Sequence, residues 1–492
     1  MNIENLLKKY HSNMKDLSYL GWSIWVLYQD METNMPINAS EDRWEQIALL
    51  SKIYHTKTTD KWFWRIINNL FDNQDNLSTK DKRSVVLAKK SYDQACKVPK
   101  NFVGEFEKAK TISQNSRTEA KKNNNYKSFM PHLKRMFDMS KQYAEYINPN
   151  EVPYNTLLDI YEEWINVTKL NEIFDSIKNP LKDIISQLSN KENKLLSYEK
   201  SDFEKHKIKE LCKELVSKIW FDFSRGNIWE VHHPYQTSIS NNDIRINTNH
   251  SDIISCITGI IHELWHWLYE QNISSDLYYS NLWWWVSHWI HESQSRLLEN
   301  IIWRSHEFSI FLLPLIQKYF PETKRNANDV HWHLTNVRPS LIRIESDEVT
   351  YNMHIIIRFE LEQVLLSGEL SFEDLPNEWN EKMKKYLWIS PSSDRNWCMQ
   401  DVHRSSGLIW YFPTYTLGNL LSAQLRNKFI IQYPSRKGKI INGDFSEYIS
   451  WFKDNIRQYG SLNTPNELVL KATWEPLNPK HFLDYIKNKY IL

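Results

Sequence analysis

Helical spacing leaves this chain little choice of architecture. Over residues 101–148 and 166–219, apolar residues recur every three or four positions between charged ones, with few Gly or Pro breaks. That pattern predicts long amphipathic helices and a mainly α fold. Strand signals are thin. The best stretch is 235–248, YQTSISNNDIRINT, alternating and rich in β-branched residues, which predicts a small hairpin just before a helix over 254–271. KKNNN at 121–125 and NQDNLSTKDK at 73–82 are expected surface loops, and no repeat or low-complexity linker divides the chain. Its 492 residues are enough to bury a large core, and one interlocked unit over 1–492 is expected.

Charge and cysteine usage narrow the function classes. Lys+Arg 61 against Asp+Glu 60 gives no basic excess to hold a phosphate backbone, so nucleic acid is not an expected partner. No run of 18 apolar residues occurs and the amino-terminal stretch lacks a signal-peptide core, so neither a membrane span nor secretion is expected. Cys96, Cys212, Cys256 and Cys398 are far apart in sequence and form no CxxC. A reducing cytoplasm suits them, rather than a disulfide framework or a thiolate zinc site.

The chemistry concentrates in ISCITGIIHELWHWLYEQ, residues 254–271, where His262 and His266 stand four apart on one helix face. This HExxH spacing suits two imidazole ligands on one zinc ion, with Glu263 beside them to take a proton from water. Two satisfied core histidines would be the bland alternative. A catalytic zinc usually has a third protein ligand and one open position. Glu292, 26 residues beyond His266, lies on a second helical segment that can return alongside the first. Glu299, seven residues further on roughly the same face, is its rival, or else a surface or supporting carboxylate.

Composition carries one anomaly. Average usage would give roughly 34 glycines in a chain this long, whereas this one has 10 Gly and 22 Trp. Trp388 follows a helical run ending in Lys384 and Lys385 and precedes Pro391, and Trp474 stands just before a Pro-punctuated turn. Both are places where a left-handed residue, usually Gly, ends a helix. The expectation is that native glycines are written here as tryptophans, as would follow from a UGA codon read as Trp.

Ordered blocks now carry a resemblance: HHPY (232–235), DIRIN (243–247), HELWH (262–266), HESQSRLLEN (291–300), IRIESDEVTYNMH (342–354) and WCMQDVHRSSGLIWYFPTYTLGN (397–419). Weaker matches at 28–36 and 464–490 extend it towards both ends. In order and spacing the chain resembles the carboxypeptidase Taq family of metallocarboxypeptidases. Trp265, Trp289, Trp388, Trp397 and Trp410 stand where the family pattern has Gly, which together with Trp474 makes six positions expected to be Gly in the native chain. Other departures are Tyr235, Asn247, Ser346 and Arg404.

The resemblance implies a large helical zinc-peptidase fold with a long active-site groove and a zinc-binding core at about residues 230–420. It implies zinc, with cobalt or manganese as the other candidates, held by His262, His266 and Glu292, and Glu263 as general base and acid. His403 with Tyr411 or Tyr415 would donate to the oxyanion, and Arg343, or second Arg245, would hold the substrate's free carboxyl end; either arginine can instead be a structural ion pair. Peptides with a free C-terminal carboxylate are the expected partners, and a homodimer the expected assembly. An endopeptidase or dipeptidase of a related helical class, or a noncatalytic scaffold blocked by Trp265 and Trp410, are the alternatives.

Overall fold

The computed structural model describes residues 2–189, 204–231, 235–248 and 253–491, so His232, His233 and Pro234 of the HHPY block lie outside the described residues. Helices dominate, and their joints show how the sequence signals work. The expected helix over 101–148 is two helices, Lys100–Lys122 and Tyr126–Ile147, broken at the asparagines. Asn124 takes φ 52, and the Asn125 side chain accepts from the Ser128 amide to start the second helix. Downstream, Val167–Ser189 and Lys205–Lys218 are helical, with 190–203 between them outside the described residues.

One loop expectation needs correcting. Within 73–82 only the first part is irregular: a 3₁₀ turn spans Gln74–Asn76, and helix Thr79–Lys97 begins at once. Ser78 accepts from the Asp81 amide while its hydroxyl donates to the Asp81 carboxylate, so the polar letters are a helix cap rather than a loop.

The predicted hairpin forms from β2 (Tyr235–Ser240) and β3 (Asp243–Thr248), antiparallel. A strand too short to signal itself, β1 (Gly226–Glu230), adds parallel to β3, giving the order β1-β3-β2. The sheet is tied to the motif helix Ile253–Gln271 by Trp267, whose Nε1 donates to the Ile244 carbonyl at 3.0 Å. Gly226 permits that approach, since a Cβ there would stand 2.4 Å from the Ile244 oxygen and 2.6 Å from the indole nitrogen.

The largest apolar cluster draws on residues from Ala120 to Ile486, well beyond the 230–420 stretch, and the motif helix runs through it. A smaller cluster of Leu6, Tyr10, Leu17, Phe63 and neighbours packs the amino-terminal helices. Among the described residues no helix is long and apolar enough to cross a membrane.

Backbone conformation bears on the tryptophans. Among the described residues six non-glycine positions have positive φ, and four are Trp: Trp164 (φ 90), Trp220 (φ 74), Trp388 (φ 57) and Trp474 (φ 63). Trp388 ends helix Leu375–Leu387 with its amide donating to the Lys384 carbonyl, and Trp474 ends Pro465–Thr473 with its amide donating to Leu470. Both are the left-handed caps that the sequence assigns to glycine.

Candidate metal centre and active site

The motif helix is buried along nearly its whole length because apolar residues flank HELWH on every side. That burial carries two imidazoles and a carboxylate into the interior. His262 Nε2 and His266 Nε2 lie 3.2 Å apart, and Glu292 Oε2 lies 3.7 Å from the first and 3.5 Å from the second. Among the described residues these three are the one group of His, Cys, Asp or Glu side chains placed to share a metal ion. Ligands around a tetrahedral zinc at 2.0–2.1 Å stand roughly 3.3 Å from one another, so the spacing fits.

The protonation pattern fits too. His262 Nδ1 pairs with Glu299 Oε2 at 2.8 Å, which assigns the ring proton to Nδ1 and leaves a lone pair on Nε2. The two imidazole nitrogens face each other at 3.2 Å, close enough to share a proton or, with both lone pairs free, a metal ion. Burial works to lower the pKa of His262, yet Glu292 and Glu299 hold it up at about 9. The pocket is therefore one that attracts positive charge. Glu292 is pushed up by burial but held well below the usual carboxylate range by Arg296 and the two histidines.

Glu292 comes from helix His288–Arg296, opened by Ser287, whose side chain accepts from the Ile290 amide. The helix continues as a π-helical turn over Leu297–Ile302 that carries Glu299 to the far side of His262. So Glu299, the sequence's rival ligand, touches the histidine's outer nitrogen and stands outside the ligand trio. Helix Phe412–Gln432 backs Glu292 at Gly418, where an added Cβ would stand 3.0 Å from the Glu292 Cγ. His291, next to Glu292, is not among the three: its ring stacks on His266 with centroids 4.1 Å apart and its Nε2 faces Glu270 Oε1 at 3.1 Å.

Glu263 lies beside the trio, with burial raising its pKa against the pull of His262 and His266. His403, Tyr411 and Tyr415 come together: His403 Nε2 shares a hydrogen bond with the Tyr415 hydroxyl at 3.1 Å, and the two tyrosine rings are 5.3 Å apart. Burial, with Arg343 next, lowers His403 to about 3, so its ring is neutral. Arg343 is buried, with Nε on Asp401 at 2.8 Å and Nη1 on the Tyr351 hydroxyl at 2.7 Å. Arg245 is elsewhere, forked onto Asp243 at 2.8 and 2.7 Å, as in the ion-pair alternative. Asn247 finds a reciprocal amide pair with buried Gln29, at 2.7 and 3.2 Å, linking the amino-terminal helix to β3.

Sequence reasoning passed over Arg296, Tyr351, Asp401 and Gly418. Arg296 had a local signal, since it is four residues after Glu292 and three before Glu299. The others act across helix contacts that no spacing encodes.

A long helical body with an HExxH helix and a carboxylate from the next helix defines a helical metallopeptidase. The comparisons agree, for the sequence profile of the carboxypeptidase Taq (M32) metallopeptidase family matches residues 8–490, and the chain belongs to that family. It is 34% identical to carboxypeptidase 1 of Bacillus subtilis over 100% of this chain and 99% of the relative, and 31% identical to thermostable carboxypeptidase 1 of Pyrococcus furiosus over 99% and 98%. Among solved structures, a Pyrococcus furiosus carboxypeptidase superposes with TM-score 0.96 at 30% identity, covering 100% of this chain and 99% of that one. The M32 carboxypeptidase from Deinococcus radiodurans gives 0.93 at 29%, covering 99% of each. The fold and the metallocarboxypeptidase class expected from the sequence are thereby borne out.

Proposed function

We propose that this metallocarboxypeptidase removes single residues from the carboxyl ends of peptides at a zinc centre held by His262, His266 and Glu292. The convergence of the three ligand atoms beside Glu263 carries this reading. A zinc ion held by these three side chains would supply Lewis-acid stabilisation at the scissile carbonyl. Glu263, raised by burial, accepts a proton from the attacking water and passes it to the leaving amine. Tyr411 or Tyr415 donates to the developing oxyanion, and neutral His403 holds the Tyr415 hydroxyl in place. Arg343 meets the substrate's terminal carboxylate; Asp401 and Tyr351 hold its guanidinium in a fixed orientation from two sides. Arg245 keeps its partner Asp243 and supports the sheet.

The reading includes a cytoplasmic, homodimeric enzyme. Tyr19, Val26, Leu49, Ile53 and Tyr54, exposed on helices Ile3–Thr33 and Ser40–Thr58, offer apolar surface for a second copy.

The test is mass spectrometry of a peptide digested in free-acid and amidated forms. Stepwise shortening from the free carboxyl end, slowed by orders of magnitude on amidation, is expected, in line with a lost charge pair of about 2–5 kcal/mol. Equal cleavage of both forms, or internal cuts, would transfer the assignment to an endopeptidase.

A further inference from the structure

We propose that Arg296 is a positioning residue that makes Glu292 a one-oxygen ligand, and so keeps the metal centre at low coordination number. The inference rests on the metal-site reading above. Arg296 Nε donates to Glu292 Oε1 at 2.6 Å, while the other carboxylate oxygen, Oε2, faces both histidine nitrogens. The same guanidinium donates from Nη1 to Glu299 Oε2 at 3.1 Å and from Nη2 to the Tyr351 hydroxyl at 3.1 Å. Its plane is also held 4.5 Å from the Tyr351 ring centroid. With three contacts and burial the fork has no freedom to turn away.

The consequence is geometric. A carboxylate that binds a metal through both oxygens must present both to it. Oε1 is already committed to a fixed N–H on the side away from the histidines, so one oxygen remains for the ion. Two imidazoles and one carboxylate oxygen leave a position open, which suits zinc. Larger or harder cations that gather more oxygen ligands are disfavoured. Arg296 also ties the third ligand to the first through Glu299 and the outer nitrogen of His262, so both are oriented by one cation. A lysine at 296 would keep the charge but not the fork that reaches both carboxylates.

The experiment uses the full chain with Co²⁺ as the spectroscopic probe and Zn²⁺ and Mn²⁺ in chelator competition. Wild type is expected to show the intense visible bands of four- or five-coordinate cobalt and a strong preference for zinc over manganese. Arg296→Met is expected to weaken the bands as Glu292 turns to bind through both oxygens, and to cut the zinc-to-manganese affinity ratio on the order of tenfold. If that variant does not fold, Arg296→Met combined with Glu299→Gln, compared with Glu299→Gln alone, carries the same expectation with one buried carboxylate fewer left without its cation. An unchanged cobalt spectrum and affinity ratio on loss of Arg296 would overturn the proposal. Wild type that binds none of the three metals would instead overturn the metal-site reading on which it stands.

Discussion

The motif helix has two faces that differ in kind. On one, His262 is anchored by Glu299, Glu292 by Arg296, and Arg296 in turn by Tyr351. On the other, fully buried Trp265 has an indole nitrogen with no acceptor, and Arg457, its guanidinium 4.6 Å from that ring, has no acceptor for Nη1 or Nη2 among the described residues. Each orphaned buried donor costs about 1–3 kcal/mol. A functional site can be strained, but here the metal face is largely paired, with His266 Nδ1 and His403 Nδ1 the exceptions, while behind it an indole N–H and two guanidinium nitrogens go without acceptors among the described residues. The difference points to residue 265 rather than to the site, and supports the reading that Gly is native there.

The most forceful way to break this contrast is to replace Trp265, Trp289, Trp388, Trp397, Trp410 and Trp474 together by Gly. At about 1–3 kcal/mol per overpacked or strained position, the combined gain should be roughly 5 kcal/mol or more. It should appear as higher soluble yield, a higher melting temperature and recovered zinc binding. A genuine buried Trp removed from a well-packed core would instead cost about 3–5 kcal/mol, so the sign of the change decides. Peptide mass spectrometry of the protein from its source cells gives an independent answer, with Gly masses at these positions and UGA at their codons expected.

The metal face is tested by Glu263→Gln, which keeps the ligand trio and removes the proton carrier. Turnover should fall by about 10²–10⁴-fold with zinc content unchanged. Loss of the metal as well would mean that Glu263 supports the fold of the site rather than the reaction.

How far these faces were legible follows from how local each signal is. His262 and His266 are readable because four residues make one helical turn, and Trp388 and Trp474 because lysines and prolines punctuate helix ends. Glu292 was reachable by asking for a third ligand; spacing alone left Glu299 as its rival, the family resemblance favoured Glu292, and the π-helical turn accounts for Glu299 standing at the outer nitrogen of His262. Gly418 was invisible because its role is to let one helix lie against the Glu292 side chain, a contact between segments more than a hundred residues apart. Trp220 was missed although Lys218 in the last helical turn before it is the same kind of signal that marked Trp388.

Further from the ligand trio, Asp401 gathers Arg343 at 2.8 Å and Arg358 at 2.6 Å. Burial pushes its pKa up, but Arg358 and Arg343 prevail and hold it far below the ordinary carboxylate range. A carboxylate depressed in the folded state contributes stability that is present above its unfolded value, about pH 4, and lost as pH falls through the folded one. Asp401→Asn should therefore lower stability by about 3–5 kcal/mol at neutral pH, since it leaves buried guanidinium groups without their counter-charge. Unfolding curves should show the gap constant from pH 7 down to about pH 4 and narrowing below. A gap that closes between pH 7 and 5 would show that Asp401 is not the group responsible.

The smallest effect separates the two ways in which a tryptophan can be wrong. At Trp220 the helix Lys205–Lys218 ends with the Phe221 amide on the Val216 carbonyl at 2.9 Å and the Trp220 amide on Ser217 at 3.1 Å. That bond pair is a Schellman ending, and it puts Trp220 at the left-handed position. Its ring is 57% exposed, so packing offers no reason for penalty or reward. What remains is the Cβ, which costs about 1 kcal/mol in this conformation. Trp220→Gly should therefore stabilise by about 1 kcal/mol, and Trp220→Ala, which keeps a Cβ, should be near neutral. At buried Trp265, in the middle of a regular helix, the problem is volume and an unpaired N–H. Ala there should recover most of what Gly does, because it removes the indole and suits the helix better than Gly by about 1 kcal/mol. Chemical unfolding of the four single variants reads this directly. Equal responses to Ala and Gly at 220 would assign its strain to the ring instead of the backbone. A loss of stability from both at 265 would make that indole a native part of the core.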